Sequence, residues 1–148
     1  MDKFLYLGID PGIHGCISFI DKYNPETPIS FKMKDLTTKD ISDILKEYSS
    51  RTAYAVLEKV NAMPKQGVVS VWKFSGSYHT LLMGLYCHDY SFDLIRPVEW
   101  QKDMGCLTGG DKNVSKARAQ QLFPGIKITH DTADSLVIAS YCKKHHAS

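Results

Sequence analysis

Hydrophobic residues along this chain come first in short unbroken runs and only later at helical spacing. Residues 3–9 (KFLYLGI) form an apolar run of strand length, broken by the turn chemistry of Asp10-Pro11-Gly12. Residues 15–20 (GCISFI) predict a second strand, close enough to the first to pair with it as a hairpin, and residues 28–33 supply a third. The period then changes. Ile41, Ile44, Leu45 and Tyr48 fall at i, i+3, i+4 and i+7, with Thr37 and Thr38 ahead of them as cap candidates, and this predicts a helix. Residues 53–57 (AYAVL) return to a short buried strand that delivers Glu58 at its end. From 67 to 87 the pattern is helical, interrupted at Gly76 and strongly apolar in its second half. Residues 92–95 form a last strand closed by Pro97. A short helix over 98–104 follows, then a helix over 112–123 stopped by Pro124-Gly125. A final helix, capped by Thr129 or His130, runs from 131 to about 143.

Three strands joined by hairpins, then strands reached through helical crossovers, predict an α/β protein with a five-stranded mixed sheet flanked by helices. The 148 residues suit one domain with one core, and no repeat, low-complexity tract or linker divides them. An apolar fraction of 43% excludes disorder. No run approaches the length that spans a bilayer, and the opening residues lack a signal peptide's basic end and cleavage site, so a cytosolic protein is expected. A net charge of +2 is too small to imply a nucleic-acid partner by itself; clustering of the basic residues would have to carry that. The four cysteines have no CxxC spacing. Side chains of the consecutive Cys87, His88 and Asp89 diverge, and Cys142 with His145 and His146 sits at the chain's end, so structural zinc is not expected.

Carboxylates at the ends of apolar elements are the candidate chemistry. Asp10 ends a buried strand, where open α/β sheets place ligands, although Asp-Pro-Gly is also ordinary turn chemistry. Glu58 ends another such strand; alone it could equally pair with Lys59 or Lys65. If the two strands are parallel neighbours, their ends lie about 5 Å apart, and carboxylates that close repel unless a cation separates them. Asp131 and Asp134, at i and i+3 in the last helix, project from one face of its first turn. The helix dipole accounts for Asp131 there. It accounts less well for Asp134, deeper in an apolar helix, where a buried acid needs a partner or a metal. Four acids without a His/Cys set suit a pair of hard divalent cations, Mg²⁺ or Mn²⁺, that activate a water and stabilise a leaving oxygen on a phosphodiester.

LGIDPG (7–12), LEKV (57–60) and HDTADSLVIA (130–139), in this order and on these elements, resemble the RuvC family of Holliday-junction resolvases, especially its small phage-encoded members. The resemblance covers nearly the whole chain. It implies the RNase H-like fold, with Asp10, Glu58, Asp131 and Asp134 matching the family's four catalytic, metal-binding acids and two Mg²⁺ per site, Mn²⁺ substituting. It further implies a homodimer that places paired, symmetric nicks in four-way DNA and leaves 5′-phosphate and 3′-hydroxyl ends, in the cytoplasm of a bacterium or a phage-infected host. One position departs from the family: where many relatives carry an aromatic wedge about three residues after the catalytic Glu, this chain has Asn61. Met63, Trp72, Phe74 or Tyr78 are the substitutes at hand.

Lys59, Lys65 and Lys73 follow the Glu58 strand, while Lys112, Lys116 and Arg118 lie on a helix leading back toward the acids. These are the candidate DNA contacts, with a solvated basic face as the plain alternative. Flaps, forks or RNA:DNA hybrids are alternative substrates for the same site. An ATP-binding domain of the actin or sugar-kinase type, or a catalytically silent junction binder, are alternatives of another class. The kinase-type reading lacks a second phosphate-binding glycine loop.

Overall fold

The computed structural model describes residues 2–60 and 67–147. Strands β1 (Leu5–Asp10), β2 (Cys16–Asp21) and β3 (Asn24–Lys32) form an antiparallel meander, and a single 3₁₀ turn (Met33–Asp35) leads into helix α1 (Thr38–Tyr48). Strand β4 (Thr52–Glu58), helix α2 (Val68–Cys87) and strand β5 (Phe92–Ile95) follow. Three helices close the chain: α3 (Pro97–Asp103), α4 (Lys112–Leu122) and α5 (His130–His146). The sheet order is β3-β2-β1-β4-β5, with β1, β4 and β5 parallel. This is the five-stranded mixed sheet that the sequence predicts.

Strand parity sorts the core into two layers. Leu5, Leu7 and Ile9 of β1, Ile17 and Phe19 of β2, and Ala55 and Leu57 of β4 face α1 and α2. Tyr6, Ile20 and Val56 face the other way, toward α3, α4 and α5. Both faces of β1 are buried, which is why its run is continuously apolar rather than alternating. Helix α1 lies on the first face through Ile41, Ile44, Leu45 and Tyr48. It is started by a capping box in which Thr37 accepts from the Asp40 amide (3.1 Å) and Asp40 accepts from the Thr37 amide (2.8 Å).

Helix α5 lies on the second face, against the centre of the sheet. Gly8 is the residue that lets it approach: a Cβ there would collide with the Ala139 amide nitrogen and stand 2.5 Å from the Ser135 carbonyl oxygen. The same contact is stapled by a buried hydroxyl chain. Ser18 of β2 meets Ser135 of α5 at 2.6 Å and Ser30 of β3 at 2.8 Å, and Ser135 donates to the Thr132 carbonyl at 3.0 Å.

Two element boundaries differ from expectation by three residues or more. Strand β3 begins at Asn24 rather than at residue 28, because a tight turn, in which the Tyr23 amide donates to Asp21 at 2.8 Å, lets pairing resume immediately. Its prolines, Pro25 and Pro28, are tolerated because β3 is an edge strand. Helix α5 runs on to His146, past residue 143, and its N-cap is Thr129 rather than His130. No helix among the described residues is long and apolar enough to cross a membrane.

Candidate active site

Asp10 and Glu58 are brought together by register and parity alone. Ile9 of β1 pairs with Leu57 of β4 in parallel register, so the next residue on each strand is an acid. Both acids share the parity of Tyr6, Gly8 and Val56, which sends them to the α5 side of the sheet. Pro11 then ends β1, and Gly12, at φ +103°, turns the chain with Phe74 packed closely against it. Glu58 is only 8% exposed, and its Oε2 accepts a 2.8 Å hydrogen bond from the indole Nε1–H of Trp100 on α3.

The other two acids come from the first turns of α5. Thr129 caps the helix and Thr132 completes a capping box, leaving Asp131 and Asp134 one turn apart on the flank that faces the strand ends. Asp131 pairs with Lys34 of the 3₁₀ turn (Nζ to Oδ2, 3.2 Å) and lies 3.9 Å from His14 Nδ1. Asp10, Asp131 and Asp134 line one cleft of about 460 Å³, together with His14, Phe74, Lys112, Ser115 and His130. Glu58 sits behind it, near enough to act electrostatically on Asp10.

Crowding shows in the proton affinities. Asp10 is raised well above the ordinary carboxylate range, first by burial, then by Glu58 and Asp134, with Lys112 opposing. Glu58 is raised to about 7, chiefly by burial, with the Trp100 N–H opposing and Asp134 adding to the rise. Asp134 is raised by burial, against the Ser115 hydroxyl, Lys112 and His130. These acids lack full neutralisation within the protein, and an all-oxygen donor set of this kind suits a hard divalent cation. As they stand, however, no group of three or more His, Cys, Asp or Glu side chains among the described residues is arranged to hold a metal ion. Three of the acids line the cleft and the fourth, Glu58, lies behind it, while Asp131 is turned to Lys34.

Raised acids fix the sign of a pH effect on the metal-free protein. Each binds its proton more tightly folded than unfolded. From about pH 4, where unfolded carboxylates titrate, up to about 7, the value for folded Glu58, the folded state therefore holds more protons, and stability falls as pH rises. In EDTA the melting temperature is expected to be higher near pH 5 than near pH 8, and added Mg²⁺ is expected to raise it more at the higher pH. A melting temperature that climbs over this interval without metal would contradict the crowding described here.

The predicted basic contacts divide. Lys112 lines the acid cleft. Lys73 lines a second cleft of about 720 Å³ that shares Gly12, Ile13 and Phe74 with the first, so the two adjoin. Lys59 is exposed just past β4, and Lys116, one turn beyond Lys112, is half-buried outside either cleft. Arg118 is turned away: its Nε donates to the Met104 carbonyl at 2.8 Å, and it lines a separate cleft with Lys143 and Lys144. Lys65, Asn61 and Met63 lie outside the described residues. Of the remaining aromatic candidates, Trp72 is 80% exposed in the second cleft, Phe74 packs against Gly12, and Tyr78 packs on the core. Sequence reasoning missed Trp100, Lys34, His14 and Ser115. A tryptophan inside a short predicted helix is the one available signal, since a buried indole N–H needs an acceptor.

No family model matches the chain, and no curated protein does so in sequence. Solved structures match in fold. The structure of Thermus thermophilus RuvC in complex with Holliday junction substrate aligns over 97% of this chain and 96% of that one, with a TM-score of 0.65 at 12% identity. A second Thermus thermophilus RuvC structure aligns over 96% and 97%, with a TM-score of 0.62 at 13% identity. Across nearly its whole length, this chain has the RNase H-like fold of RuvC.

Proposed function

We propose that this protein is a divalent-metal-dependent DNA endonuclease that resolves four-way junctions by paired, symmetric nicks. The observation that carries the reading is the gathering of Asp10, Asp131 and Asp134 in one cleft at the end of β1, with Glu58 of β4 close behind Asp10, in a fold shared with a protein solved on a Holliday junction. Asp10, Glu58, Asp131 and Asp134 would hold two Mg²⁺ ions, with Mn²⁺ as a substitute. Such ions, when bound, activate a water against a phosphodiester and stabilise the departing oxygen.

The chain's own residues do the positioning. Lys112, on the rim beside Asp10 and Asp134, is placed to take a phosphate oxygen and hold the scissile strand over the acids. Lys34 would have to release Asp131 for that acid to hold a metal, and with Lys73 it continues the positive rim along the second cleft. Ile13 and Phe74 form the apolar surface between the two clefts. Trp72, exposed at the far side, stands in for the missing wedge by stacking on an unpaired base at the junction centre. One chain carries one acid cluster, and two matched nicks need two, so the working unit is a two-fold symmetric dimer.

A labelled four-way junction incubated with Mg²⁺, and in parallel with EDTA, tests the reading. Two nicks at symmetric positions, religatable and absent in EDTA, are the expected result. Preferred cutting of a flap, a fork or an RNA:DNA hybrid would reassign the substrate. No cutting of any of them, with Mg²⁺ or Mn²⁺, would end the nuclease reading.

A further inference from the structure

We infer that Trp100 is a positioning residue for the metal site, its indole N–H fixing the Glu58 carboxylate so that its other oxygen is presented to a bound cation. The inference rests on the reading of Glu58 as a metal ligand. Trp100 is fully buried, and the bond from Nε1 to Oε2 is 2.8 Å, well inside the range of an N–H···O hydrogen bond. The donor is held from both sides. Strand β5 pairs with β4 through Glu58 and Ile95, and Pro97 at the start of α3 turns the chain so that Trp100 lies across the end of the Glu58 strand. Helix α3 is clamped by the Arg96–Glu99 ion pair at 2.9 Å, and beyond its end the Cys106 amide donates to the Gln101 carbonyl at 2.8 Å.

The donor's chemistry matters as much as its position. A lysine or arginine in this place would neutralise Glu58 and compete with a cation, as Lys34 does at Asp131. An indole N–H is neutral and can only donate. It orients the carboxylate while cancelling none of its charge, and the other oxygen is left to a metal. A neutral donor that orients a metal-binding carboxylate is worth about 10- to 100-fold in metal affinity where such partners have been removed.

Mn²⁺ binding to the DNA-free protein, measured by calorimetry, tests this in four proteins: wild type, Glu58→Gln, Trp100→Phe and the double variant. The benzothienyl analogue of tryptophan, introduced at position 100, keeps the fused-ring shape and replaces the N–H by a sulfur that cannot donate, which guards against a packing defect. Removing the N–H, by either route, is expected to weaken Mn²⁺ by about 10-fold or more with the far-ultraviolet circular dichroism unchanged. In the Glu58→Gln background it is expected to add nothing. Raising Mn²⁺ is expected to restore junction cleavage by the Trp100 variants. If wild type and Glu58→Gln differ in Mn²⁺ affinity but the benzothienyl protein matches wild type, the positioning role is overturned while the metal reading stands. Equal additive losses in both backgrounds would also overturn it, leaving Trp100 a packing residue. If wild type and Glu58→Gln bind Mn²⁺ alike, the metal reading of Glu58 falls and the inference falls with it.

Discussion

Asp134→Asn is expected to abolish cleavage of a four-way junction, by about 10³-fold or more, while leaving the protein folded and still able to bind the junction. The size follows from the place of the residue. Asp134 faces Asp10 and Glu58 across a partly desolvated space, where its attraction for a cation is worth far more than in water. Asparagine keeps the shape and one carbonyl oxygen, so the Ser115 side of the site and the packing of α5 are retained, but the charge that would help hold a divalent ion is gone. The sign of the stability change separates this from simple damage. Burial and its neighbours hold Asp134 above the ordinary range, and it in turn raises both Asp10 and Glu58. Removing it relieves that repulsion, so the metal-free variant should melt no lower than wild type at about pH 8, and Mg²⁺ should raise its melting temperature less. An inactive variant that also melts far below wild type would mean that α5 had been disturbed. Full nuclease activity in the folded variant would refute the assignment of Asp134 to the site.

The features legible in the amino-acid sequence are those set by local pattern. Short apolar runs ending in Asp10 and Glu58, and an acid pair one turn apart after a Thr cap, locate three elements and fix the direction in which each side chain leaves the backbone. Parallel pairing of Ile9 with Leu57 then follows from topology, since a helical crossover returns β4 beside β1. The start of β3 is hidden because two prolines mimic a loop, and only its place at the sheet edge makes them harmless. The contact between Trp100 and Glu58 joins residues 42 apart and depends on which face of a seven-residue helix turns inward, which periodicity over so short a span does not specify. Basic residues are the least legible. Lys112 and Arg118 share one helix, yet one lines the acid cleft while the other is taken by the Met104 carbonyl. Long charged side chains choose partners from tertiary surroundings, and their spacing along a helix does not reveal that choice.

Gly8→Ala is expected to destabilise the protein by about 3 kcal/mol or more, the upper end of what overpacking one methyl group costs. Alanine would ordinarily be the better residue in a strand, by roughly 0.5–1 kcal/mol, because glycine loses more freedom on folding. Here the clash decides. The added methyl would meet the backbone of α5, at Ala139 and Ser135, so no side chain can rotate to make room and the helix itself must lift from β1. Lifting it strains the 2.6 Å Ser18–Ser135 bond beneath and moves Asp131 and Asp134 away from the strand ends, so metal-dependent cleavage should fall along with stability. Urea unfolding of Gly8→Ala beside Gly76→Ala gives an internal contrast. Gly76 lies in α2 with nothing within 4 Å of an added Cβ, and alanine there should stabilise by about 0.5–1 kcal/mol. The same substitution is thus expected to carry opposite signs at the two positions. A Gly8→Ala protein as stable as wild type would mean that α5 does not rest on β1 at this distance, and the acids it carries would then have no fixed place opposite Asp10.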